Sequence, residues 1–111
     1  LAAGALSGKY RNGQMPKNSR MTLFKGWERM INPLAMKAYD KYYELAKEYN
    51  ITMVQLAQAF VNSRTFVTSN IIGATTMEQL KENIKSIDID LSEEILEKIN
   101  LIHNNNPNPA P

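Results

Sequence analysis

Apolar residues fall at helical spacing over most of this chain, and one β-branched run interrupts them. Asn32-Pro33 offers a cap followed by a proline suited to the first helical position. A helix is predicted from 33 to 49, with Ala35, Ala38, Tyr42, Leu45, Ala46 and Tyr49 on one face and Asn50 as its stop. Thr52 and Gln55 form a capping box that opens a second helix reaching Asn62. Its Val54, Ala57, Gln58, Phe60 and Val61 give no clean stripe, and its lack of charge predicts burial. Phe66 to Ile72 is aromatic and β-branched between turn-prone flanks, the one clear strand. A third helix, 76 to 86, is expected to turn Leu80, Ile84 and Ile87 inward, with Gln79, Glu82 and Asn83 on a neighbouring face. Ser92 caps the last, with Ile95, Leu96, Ile99 and Ile102 as its stripe. The tail NNNPNPAP, 104–111, reads as disordered.

Everything before Asn32 is different. Leu1 to Gly8 is small and apolar, with Gly4 and Gly8 open to close backbone approach. Lys9 and the turn Arg11-Asn12-Gly13 follow. From there to Asn32 the chain is polar and irregular, and structureless loops of this length are commonly functional or disordered. The chain begins at Leu1 inside what reads as a structured turn, the pattern of a fragment. A lone strand cannot satisfy its own ladder, so Phe66–Ile72 needs a partner outside this sequence or in a second copy, and self-association is expected.

The segment IIGATTMEQLKEN, residues 71–83, concentrates the candidate chemistry. Thr75 and Thr76 are both candidate caps, with Glu78 and Gln79 three residues on. A capped helix start behind a glycine presents unpaired N–H groups and a positive dipole end, which suits phosphate. An ordinary strand-to-helix turn has the same local features.

Composition narrows the classes. A hydrophobic fraction of 43% over 111 residues supports at most one domain with a modest core. The net charge of +2 is scattered and gives no case for nucleic acid. With no cysteine there is neither a disulfide framework nor a thiolate metal site, and His103 has no evident catalytic or metal partner, so no metal ligand is assigned. No apolar run approaches the ~20 residues that span a bilayer. A soluble cytoplasmic protein is the expectation.

Taken in order, LAAGALSGKY, the later PKNSR, TMVQLAQAFV, FVTSNIIGATTMEQLKENI and LSEEILEKI resemble the C-terminal part of an aldo-keto reductase. The likeness covers the chain to about His103 and is nearest the branch that includes bacterial general-stress reductases and potassium-channel β-subunits. The resemblance implies a (β/α)8 barrel that transfers hydride from NADPH to aldehydes and ketones. This chain would be its C-terminal portion and not a complete barrel: mainly α with one clear β-strand, a cofactor loop over 1–32, helices and the last strand over 33–103. It implies that Leu1, Ala3 and Gly4 pass along the cofactor pyrophosphate and that Lys9 and Arg20 belong to the loop over the cofactor. Gly73 and Thr75 would form the turn at the adenosine 2′-phosphate, and Gln79, Glu82 and Asn83 would contact the phosphate and adenine ends. Many members carry a lysine-serine pair and an arginine where this chain has Gly73-Ala74 and Gln79. The family's catalytic aspartate, tyrosine, lysine and histidine lie in the first half of the barrel, so no catalytic residue is assigned and the chain alone is expected to be inactive. A non-catalytic nucleotide-binding or regulatory module, and a truncation product without function, are the alternatives.

Overall fold

Four side-chain caps decide where the helices begin. The computed structural model describes residues 1–110. Short 3-10 turns at Ala2–Ser7 and Arg11–Gly13 lead to a one-turn helix α1, Arg20–Leu23, and a further 3-10 turn at Glu28–Ile31. The main helices follow: α2 Pro33–Glu48, α3 Met53–Asn62, α4 Met77–Lys85 with a 3-10 extension Ser86–Asp88, and α5 Glu93–Asn105. Asn32 Oδ1 accepts from the N–H groups of Leu34 (2.9 Å) and Ala35 (3.0 Å). Thr52 and Gln55 close the expected box, the Gln55 N–H donating to Thr52 Oγ1 (3.0 Å) and the Thr52 N–H to Gln55 Oε1 (2.9 Å). Thr76 and Ser92 accept from the N–H groups of Gln79 and Ile95 in the same way. Each cap satisfies donors that the first helical turn leaves without a partner.

The core lies between α2, α3 and α5. Ala35, Tyr39, Leu45 and Ala46 of α2 meet Met53 and Leu56 of α3 and Ile95 and Ile99 of α5, and Ala5 and Tyr10 of the N-terminal turns close one end. Tyr39, absent from the predicted stripe, is buried, whereas Tyr42 and Tyr49 are half-buried. Arg11 pins its turn to α2 by donating from Nε to Asp40 (2.8 Å) while its guanidinium stacks 3.5 Å from the Tyr43 ring centroid. Lys98 ties α5 to α2 through Glu48 (2.6 Å) and the Tyr49 hydroxyl (3.0 Å). The stretch expected as a disordered tail begins within α5, and Pro109 O accepts from Asn32 Nδ2 (2.8 Å) at the start of α2; residue 111 lies outside the described residues.

Two expectations are corrected. Among the described residues there is no β-strand: Phe66 to Ile72 runs as irregular chain, with Phe66 83% and Ile71 95% exposed. The sequence supplies β-branched residues but no second strand, and a ladder forms only between two. The regular structure of the described residues is therefore all helical, and the fold class of one strand among helices does not hold. Nor does α4 bury its apolar stripe. Ile84 and Ile87 are exposed, Leu80 is half-buried, and the side of α4 against α3 carries Asn83 and Ser86 instead. None of the helices formed by the described residues is long and apolar enough to cross a membrane.

Candidate functional site

Residues 73–83 form a turn and helix start on the open surface. Thr76, not Thr75, is the cap, and its Oγ1 accepts from the Gln79 N–H at 3.3 Å. Gln79 does not complete the box by reaching back to Thr76. Its Oε1 instead takes both donors of Thr75, the backbone N–H at 2.9 Å and the hydroxyl at 3.1 Å. Two donors of one residue thus converge on a single exposed acceptor. A Cβ built at Gly73 would meet nothing within 4 Å, so the space before the turn is free. Asn83 holds the turn from behind, its Nδ2 donating to Gly73 O at 3.2 Å.

The electrostatics of this helix start are mixed. The Glu78 carboxyl is held below its ordinary value by its own backbone N–H and by the Thr76 hydroxyl. An anion arriving here meets that carboxylate as well as the helix dipole. Glu82 is turned away from the turn, toward α3: its Oε1 accepts from Thr52 Oγ1 at 2.6 Å. Asn83 is only 5% exposed, and its amide is committed to Gly73 and to Gln58 of α3.

The N-terminal candidates form a second group. Leu1 O accepts from the N–H groups of Gly4 (2.9 Å) and Leu6 (3.2 Å), and Ala2, Ala3 and Gly4 all have positive φ, 47°, 55° and 94°. Left-handed alanines cost roughly 1–2 kcal/mol each. The Lys9 side chain lies across this turn: a Cβ on Gly4 would come within 2.8 Å of its Cε and Nζ. Leu1, Ala3, Gly4 and Lys9 are therefore one cluster. Tyr10 stands beneath it; burial alone pushes its phenol up, but Ser19, the Met21 N–H and Lys9 bring it below its ordinary value. Arg20 sits apart, its guanidinium 5.2 Å from the Trp27 ring centroid. Neither Lys9 nor Arg20 forms an ion pair among the described residues.

Helix α3 stands between the two groups, packing on the N-terminal turn and on α4. A cleft of about 560 Å3 runs past Ser7, Gly8, Lys9, Lys47 and Thr52, and another of about 460 Å3 separates α2 from α5 near Lys98 and Leu101. Residues 73–83 line neither, and residues 73–79 are all exposed, so the Thr75 turn lies on open surface. Sequence reasoning did not reach Thr52 as the partner of Glu82, nor Asn70 and Gln58 behind Asn83. A glutamine inside a charge-poor, buried helix was the one available signal for the latter.

The sequence profile described as the aldo/keto reductase family matches residues 1–104. The chain belongs to that family. It is 41% identical over 111 residues to protein tas of Escherichia coli (strain K12), an alignment that takes in all of this chain and 32% of that protein. It is 33% identical over 113 residues to a probable voltage-gated potassium channel subunit beta of Arabidopsis thaliana, covering 96% of this chain and 34% of the relative. A putative subunit of the same kind from Schizosaccharomyces pombe is 35% identical over 114 residues, with 96% and 33% covered. The chain thus spans about a third of the length of the curated relatives it matches.

Proposed function

We propose that this chain is the nucleotide-holding portion of a cytoplasmic NADP(H)-dependent reductase of aldehydes or ketones. In this reading Leu1, Ala3 and Gly4 follow the pyrophosphate and Lys9 and Arg20 supply positive charge. Gly73 and Thr75 receive the 2′-phosphate with Gln79 beside them, while Glu82 and Asn83, engaged by Thr52, Gly73 and Gln58, brace this end of the site from behind. The observation that carries it is the convergence of the Thr75 N–H and hydroxyl on Gln79 Oε1. A phosphate oxygen in place of that acceptor receives the same two donors, and Gln79 then turns its own NH2 toward the phosphate. Open space before Gly73 and two cations outside any described ion pair fit the same ligand.

When bound, the nicotinamide supplies the hydride; the residues of this chain bind and orient the nucleotide. The acid–base groups that the family uses are assigned to the remainder of the barrel, so these 111 residues alone are expected to turn over no carbonyl. NADPH titrated against the chain while Trp27 fluorescence is followed tests the reading, because Arg20 stacks on that indole. Saturable quenching that weakens in Lys9→Ala and Thr75→Ala supports it. No saturable change in a chain that keeps its helicity overturns it.

The channel-subunit names of two relatives favour one further reading, a nucleotide-binding regulatory module without turnover. Incubating the complete gene product with NADPH and a reactive aldehyde separates the two: steady oxidation of the nucleotide selects the reductase, and binding without oxidation selects the module.

A further inference from the structure

Gln58 is an amide in the middle of an apolar helix, 5% exposed, between buried Leu56 and Ala59. Burying a primary amide is costly unless its donors and acceptor are used, and here they are. Its Oε1 accepts from Asn70 Nδ2 at 2.6 Å, and its Nε2 donates to Asn83 Oδ1 at 3.4 Å. Asn83 Nδ2 donates to Gly73 O, and Asn70 Nδ2 also donates to Asn62 Oδ1 at 3.0 Å. No buried side-chain nitrogen or oxygen among the described residues lacks a partner. The bonds form one directed chain from Asn70 through Gln58 and Asn83 to the Gly73 carbonyl.

Its direction is forced from one end. A backbone carbonyl only accepts, so Asn83 must present its NH2 to Gly73 and its oxygen to Gln58. Gln58 must then present its NH2 to Asn83 and its oxygen to Asn70, which must donate. Reversing any amide sets two oxygens or two NH2 groups against each other. The far end of the chain lies on irregular backbone that no ladder holds, and the near end is the carbonyl that opens the Thr75 turn.

We propose that Gln58 and Asn70 are positioning residues: by passing one hydrogen-bond sense along the chain of amides they fix the conformation of residues 73–76, and through it the reception of a nucleotide phosphate. The final step rests on the nucleotide-holding reading; the control of the turn does not. Neither residue touches the ligand in this account.

Asn70→Asp is the decisive variant. Asn70 is half-exposed, so the change is tolerated where Gln58→Glu, at a buried site, risks unfolding. An aspartate only accepts; Gln58 must turn to donate to it, Asn83 turns in consequence, and its oxygen faces the Gly73 carbonyl. Amide NMR spectra of the whole chain should show the Gly73, Ala74 and Thr75 signals displaced in Asn70→Asp while those of α2 and α5 stay in place. The dissociation constant for NADPH should rise about tenfold, and that for NADH, which has no 2′-phosphate, less than about twofold. Unmoved signals at 73–76, or displacement spread evenly over all helices, overturns the proposal. Unmoved binding of both nucleotides with displaced signals removes its final step. If the unaltered chain binds neither nucleotide, the nucleotide-holding reading fails while the amide signals still decide whether the relay sets the turn.

Discussion

Replacing Thr52 by alanine tests the cap and the contact between α3 and α4 at once. The hydroxyl oxygen accepts from the Gln55 N–H and its proton goes to Glu82 Oε1. Losing a threonine cap costs about 1 kcal/mol. The bond to Glu82 is exposed, and such charge-assisted contacts at a surface contribute roughly 0.5 kcal/mol. The sum is about 1.5 kcal/mol. With an unfolding entropy of ~2.1 cal/mol/K per residue over a chain of this length, that lowers the melting temperature by about 6 °C. Thermal unfolding followed by circular dichroism reads the shift. Thr52→Ser keeps the oxygen and should melt within about 2 °C of the unaltered chain. A cycle with Glu82→Ala should return a coupling of about 0.5 kcal/mol. If Thr52→Ala melts with the unaltered chain, or Thr52→Ser falls as far, the hydroxyl does not hold this corner.

Gly73→Ala meets open space, so stability should change by less than about 0.5 kcal/mol in urea unfolding while NADPH affinity falls, the added methyl standing where the ligand approaches. Asn32→Ala removes an acceptor for two N–H groups and a donor to Pro109 O, and should cost about 1–2 kcal/mol by the same measurement. Glu28, Glu78 and Glu94 all have carboxyls held below their ordinary 4.5, Glu94 by the Tyr49 hydroxyl and Lys98. Their contribution is present above that value and is lost as pH falls through the lowered folded values, so the urea midpoint should drop as the pH is taken below 4.5, and drop less in Glu94→Gln. Phe66, Ile71, Met77, Ile84 and Ile87 leave apolar surface in water, so light scattering should report self-association that Ile71→Glu with Ile84→Lys reduces.

What the sequence made legible was mostly local. The caps at Asn32, Thr52 and Ser92 depend on residues two or three positions away, and the helices they open fall where the spacing puts them. The strand at 66–72 was not decidable in this way, because whether a β-branched run pairs depends on what lies beside it. The face of α4 was misread for a related reason. Its apolar residues have helical spacing, but the surface offered to it by α3 carries the Gln58 amide, and Asn83 and Ser86 meet that surface. At the candidate turn the sequence identified two threonines and a glutamine, yet left the register between them open. The structure caps the helix with Thr76 and spends Gln79 on Thr75. Leu1, Ala3, Gly4 and Lys9 gather in one place and Gly73, Thr75, Gln79 and Asn83 in another, with Arg20 apart on Trp27.

The claim that residues 73–83 receive the nucleotide phosphate is tested most directly by mapping where NADPH perturbs the backbone amides of this chain. Saturable shifts centred on Gly73, Thr75 and Gln79, reproduced by adenosine 2′-phosphate and weaker with NADH, are the predicted result. Shifts confined to the cleft between α2 and α5, or none at any concentration that keeps the chain folded, would contradict it.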